Sequence, residues 1–177
     1  MWKTLPVLML TAAAALAQTA EEWEPFRKTG LFSGKSALWV APDMEKETVP
    51  DFSARLLEGT RHGDANAMAT LGRFFYVRGD TERAGEWLGK AAELGHGGAQ
   101  LDLGAMFAQG IGRKQDFVEA YKWLWLATWG DAPGADAALR EISQKLSGAQ
   151  VIEGVQRAAK FQDAHKPAAK APAAAER

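Results

Sequence analysis

Residues 103–127 read LGAMFAQGIGRKQDFVEAYKWLWLA, and residues 71–92 read LGRFFYVRGDTERAGEWLGKAA. The two stretches carry one spaced pattern. Leu71, Gly72, Phe75, Ala84, Trp87 and Ala91 in the first recur as Leu103, Gly104, Phe107, Ala120, Trp123 and Ala127 in the second, which is four residues longer between Phe107 and Ala120. A repeat of this length is one helical hairpin, and hairpins become stable by stacking on one another. The fold class read from the pattern is therefore all-α, an α-solenoid of antiparallel helix hairpins.

The pattern alternates very small and very large residues. Gly72 and Gly104 fall inside helices, where glycine costs about 1 kcal/mol relative to alanine. A close crossing of the two helices returns that cost, with Gly72 expected to face Ala91-Ala92 and Gly104 to face Ala127. Phe75, Trp87, Phe107 and Trp123 then fill the space on either side.

Junctions punctuate the array. Gly63-Asp64, Gly95-His96 and Gly130-Asp131 each place a glycine where a left-handed C′ residue belongs, followed by a candidate N-cap. They divide the chain into helices over Ala67–Val77 and Thr81–Leu94, then Ala99–Gln109 and Asp116–Trp129. A degenerate third hairpin follows, Ala135–Leu146 and Ala149–Phe161, with Ser147 as N-cap. Helical patterning begins at Pro50, with Phe52, Leu56 and Leu57 on one face.

The second unit also contains Gly110-x-Gly112-x-x-x-Asp116, followed by Glu119-Ala120-Tyr121-Lys122-Trp123-Leu124. Together with Gly63-Asp64-Ala65-Asn66-Ala67 and the ending Leu146-Ser147-Gly148-Ala149-Gln150, this resembles the Sel1-like repeat, a relative of the tetratricopeptide repeat. The resemblance covers residues 50–161, and Arg140 stands where the third unit should have its glycine. It implies an adaptor whose concave face holds a protein, a peptide or, in cell-envelope members, a glycan-assembly complex. Some exported, cysteine-rich relatives are linked to penicillin binding; this chain has no cysteine, so that link does not carry over.

In the tetratricopeptide frame the groove positions fall on the first helix of each unit. They are Asn66, Ala69, Arg73 and Tyr76, then Gly98, Leu101, Ala105 and Ala108. Asn66, Arg73 and Tyr76 are the candidate partner-binding residues, because Arg and Tyr dominate binding hot spots. The second set is small or apolar, which predicts a roomy groove without strong charge.

No catalytic, cofactor or metal site emerges. There is no G-x-S-x-G elbow and no S-x-x-K. His62, His96 and His165 lack partner spacings for a metal, and His62, aligned with Leu94 and Trp129, is expected to pack at a helix end. Gly30 to Ser36 is one residue short of a phosphate loop and has neither the preceding strand nor the following helix. The expected role is binding a protein or peptide, or a cell-envelope component, without catalysis. The alternatives are an envelope enzyme or glycan binder acting on peptidoglycan or a β-lactam-like ligand, and a structural spacer.

Outside the repeats, residues 1–17 form a signal peptide: Lys3, an uncharged apolar run, and Ala15-Leu16-Ala17 before the cut. That run is shorter than the ~20 residues that span a bilayer. No stable membrane insertion is expected after cleavage, and the localisation is periplasmic or secreted. Residues 18–49 form an irregular arm rich in aromatics, with one short strand near Leu38-Trp39-Val40, and residues 162–177 a disordered Ala/Pro/Lys tail. Without Lys3 the chain has 20 basic and 22 acidic residues, a balance with no pull toward nucleic acid. N-terminal sequencing of exported protein should begin at Gln18; Met1 retained in a membrane fraction would mean an anchor instead.

Overall fold

The computed structural model describes Glu24, residues 48–130 and residues 132–165. Seven helices and no strand occur among these: α1 (Val49–Arg61), α2 (Ala65–Val77), α3 (Thr81–Glu93), α4 (Gly97–Gln109), α5 (Phe117–Trp129), α6 (Ala135–Ser143) and α7 (Gly148–Ala164). The expected signal peptide, nearly all of the expected irregular arm with its strand near Leu38–Val40, the Gly30 to Ser36 stretch and the expected tail beyond His165 lie outside the described residues.

Caps set the boundaries. Asp64 Oδ1 accepts from the N–H groups of Asn66 and Ala67, at 2.8 and 3.3 Å, so α2 starts two residues before the expected Ala67. His96 does the same for α4, its Nδ1 accepting from Ala99 N–H at 3.0 Å, and α4 starts at Gly97. Asp116 caps α5 through Val118 and Glu119, both at 2.9 Å. Ser147 and Gln150 form a reciprocal capping box on α7. Gly63 and Gly95 take the expected left-handed conformation, at φ +75° and +83°.

Gly130 does not: its φ is −89°. Its glycine serves a different purpose. A Cβ there would come within 2.9 Å of Gly97 Cα, so α5 ends against the start of α4 with backbone on backbone.

Inside the hairpins the glycines sit at close crossings, with different partners from those expected. A Cβ on Gly72 would stand 2.7 Å from Leu88 Cγ, and one on Gly104 would stand 2.7 Å from Leu124 Cγ. The alanines face the next unit instead. Ala84, Ala91 and Ala92 join Ala99, Leu103 and Trp123 in one core between α3, α4 and α5. Ala127 packs with Ala132 and Ala135 toward α6. Leu71, Phe52, Leu56 and Phe74 form the first core between α1 and α2, with Phe75 and Trp87 packed against it. Ala120, Tyr121, Leu124 and Ile142 form the third, lined by Phe107. Leu57 stays solvent-facing at 42% exposure, while Val49, Phe52 and Leu56 form the buried face of α1.

The four-residue insert of the second unit reaches backward. Arg113 lies over the Phe107 ring, 4.5 Å from its centroid, and covers Gly85 of α3, where any Cβ would collide with the guanidinium. The insert thus ties the second hairpin to the first.

The last two helices do not close a third hairpin. Both lean on α5. Gly154 of α7 meets the Tyr121 ring, which stands 2.7 Å from the place of a Cβ, and Arg157 donates to Glu119 at 3.0 Å. With Arg140 exposed in place of the glycine, α6 has no close-packing notch for α7. The final helix also runs three residues past the expected Phe161, to Ala164.

Gly104→Val should destabilise by about 1–3 kcal/mol through overpacking against Leu124. Gly89→Ala, where a Cβ meets open space, should stabilise by up to about 1 kcal/mol. Urea melts of the two variants should move in opposite directions; equal midpoints would remove the close crossing from the account.

Candidate functional site

Helix α2 carries one charged side chain, Arg73, and α4 carries one, Asp102. The solenoid brings them together. Arg73 Nε donates to Asp102 Oδ2 at 2.5 Å and its Nη2 to Oδ1 at 3.0 Å, the two-pronged geometry that makes Arg–carboxylate contacts strong and directional. Each side chain keeps only 24% of its exposure. Burial raises the Asp102 carboxyl above the ordinary carboxylate range, against the pull of Arg73 and, more weakly, of His96.

The pair forms one wall of a groove of about 290 Å³, whose other walls are Val77, Leu88, Met106 and Ile111, with Tyr76 and Gln109 at the mouth. Tyr76 is 45% exposed. An apolar cleft with few polar groups to orient a ligand is the usual form of a binding site.

The structure brings Arg73, Tyr76 and Ala105 to this groove and leaves other expected positions elsewhere. Asn66 sits on the first turn of α2, outside the lining, where its carbonyl accepts from Thr70 Oγ1 at 2.7 Å. Ala69 and Gly98 are buried, and Leu101 and Ala108 pack into the third core. Met106 and Gln109 also line the cleft.

Asp102 is the residue that sequence reading missed. A signal was present: two otherwise uncharged helices in equivalent positions carry single charges of opposite sign. The repeat alignment hid it, because Arg73 aligns with Ala105 and not with Asp102.

The histidines fall in three environments. His96 is buried as a cap. His62 is exposed and bonds Glu58 at 3.2 Å, so it does not pack at the helix end. Leu94 and Trp129, its equivalents, are likewise exposed, at 56% and 70%. His165 caps α7 and stacks on Phe161, with ring centroids 4.0 Å apart.

Comparison with known proteins accords with this architecture. The Sel1 repeat family profile matches residues 65–96 and 98–127. The chain is thus a helical-repeat protein, and the repeats it carries are two Sel1 repeats. Among solved structures it is similar to c5321, a protective antigen present in uropathogenic Escherichia coli strains that displays an SLR fold. The identity is 17% and the TM-score 0.46, over 84% of this chain and 40% of that one. The chain therefore spans less than half of that antigen's length. A search of curated proteins finds no match.

Because the folded-state pKa of Asp102 is raised, the native protein holds a proton more tightly than the unfolded chain. Its burial therefore costs stability as pH rises above the unfolded value of about 3.9. Arg73→Ala removes the counter-charge and raises that pKa further. The variant's deficit in melting stability against wild type should grow from pH 4 to pH 7, reaching about 1–3 kcal/mol. A deficit independent of pH would show that Arg73 does not offset the cost of ionising Asp102.

Proposed function

We propose that this protein is an exported scaffold whose repeat surface binds a protein or peptide partner, without turnover, in the groove between α2 and α4. One observation carries the reading. Tyr76, half exposed, stands at the mouth of an apolar cleft whose wall is stiffened by the Arg73–Asp102 clamp. An exposed aromatic, with few rotatable bonds to fix, beside the Arg73–Asp102 pair offers contact area at little ordering cost, which is what binding hot spots require. Val77, Met106 and Ile111 then accept one apolar side chain from the partner. The Ala15-Leu16-Ala17 boundary supports export, and on that reading the partner is periplasmic or extracellular.

Tyr76→Ala should weaken partner capture by about thirtyfold, the equivalent of ~2 kcal/mol. Its exposure means the melting temperature should hardly move. The check is affinity capture from an envelope extract with wild type and variant, each captured partner then titrated by calorimetry. Equal affinities for every captured partner would overturn the reading, as would turnover of a peptidoglycan fragment or β-lactam by the purified protein.

A further inference from the structure

A second cavity, of about 720 Å³, shares no residue with the first and lies between the C-terminal ends of α3, α5 and α7. Its floor is Leu126 and Phe161, and its rim carries Glu93, Leu94, Trp129 and His165. Trp129 is 70% exposed and Leu94 56%. Large apolar side chains left exposed together at the rim of one cavity mark an interaction site more often than chance.

The charge at this place is mainly negative; Lys122, 5.4 Å from the Phe161 ring centroid, is already paired with Glu119. Each helix C-terminus carries about half a negative charge in its aligned carbonyls; three such ends meet here against one N-terminus, that of α4, which Gln100 brings to the lining. Glu93 adds a full negative charge. No Lys or Arg is among the described residues that line the cavity. An aromatic face in a negative field attracts a cation carried on an apolar stem.

From this complementarity we infer that the cavity docks an extended basic segment of a partner protein. A Lys or Arg stem lies along Trp129, and its charge faces Glu93 and the converging helix ends. The small or apolar residues between successive basic ones settle on Leu94, Leu126 and Phe161. The site stands on residues independent of the Arg73–Tyr76 groove, so each can fail without the other.

The test titrates the full chain with a blocked Ala-Lys repeat peptide and with its Ala-Glu counterpart, followed by calorimetry. The Lys peptide should bind at least about tenfold more tightly than the Glu peptide. Trp129→Ala and, separately, Glu93→Lys should each weaken the Lys peptide by about tenfold or more, while Trp129→Phe retains most of the affinity. Both side chains are exposed, and helical circular dichroism confirms that the variants are folded. Arg73→Ala with Tyr76→Ala should leave this binding unchanged. Wild-type affinity in Trp129→Ala, or equal binding of the two peptides, would overturn the inference. So would binding that appears only after removal of residues 166–177, which would assign the cavity to the chain's own Lys166–Arg177 segment.

Discussion

Two contacts between a glycine and a leucine hold the architecture. Gly72 receives Leu88, and Gly104 receives Leu124, each at a distance that leaves no room for a methyl group. A helix pays about 1 kcal/mol for an interior glycine, and the leucine seated in the notch repays it by burial: Leu88 and Leu124 are both 1% exposed. The notch fixes how near the two helices of a hairpin lie. That distance decides which residues face inward within a unit and which face the next one. The alanines then work between units, and the aromatics fill the edges of both layers.

From this spacing follows the relation between α2 and α4. Two helices in equivalent positions of successive units run side by side, and each presents one charge. The Arg73–Asp102 clamp spans them, while Arg113 ties the insert of the second unit back to α3. One link lies on the groove and the other at the inter-helix insert. Together they give the groove a defined width. A binding surface on a repeat protein needs such definition, because each unit otherwise touches only its neighbours.

The helix caps and the repeat period were legible in the sequence because their chemistry is local. Asp64, Asp116 and Ser147 act within three residues of themselves. The partner of each glycine was not legible. Choosing Leu88 over Ala91 requires the rotational phase of one helix against another, and small residues suit either side. His62 was expected to pack because it aligns with the large apolar Leu94 and Trp129, yet those two are themselves exposed at their helix ends. The third hairpin failed because its pattern retains caps but lacks the notch. Asp102 was hidden because its partner lies 29 residues away, off the repeat register by one helical turn. Arg73 and Tyr76 were legible as groove residues through the tetratricopeptide frame; their surroundings were not.

The most direct measurement of the glycine–leucine constraint is a double-mutant cycle between Gly104→Ala and Leu124→Ala, read by urea unfolding. The gain in helix propensity from alanine cancels in the cycle, leaving the contact itself. Leu124→Ala empties the space that a methyl on residue 104 would need. The account predicts that the double variant loses less stability than the sum of the single losses, by about 1 kcal/mol or more. Additivity within about 0.3–0.5 kcal/mol would contradict it.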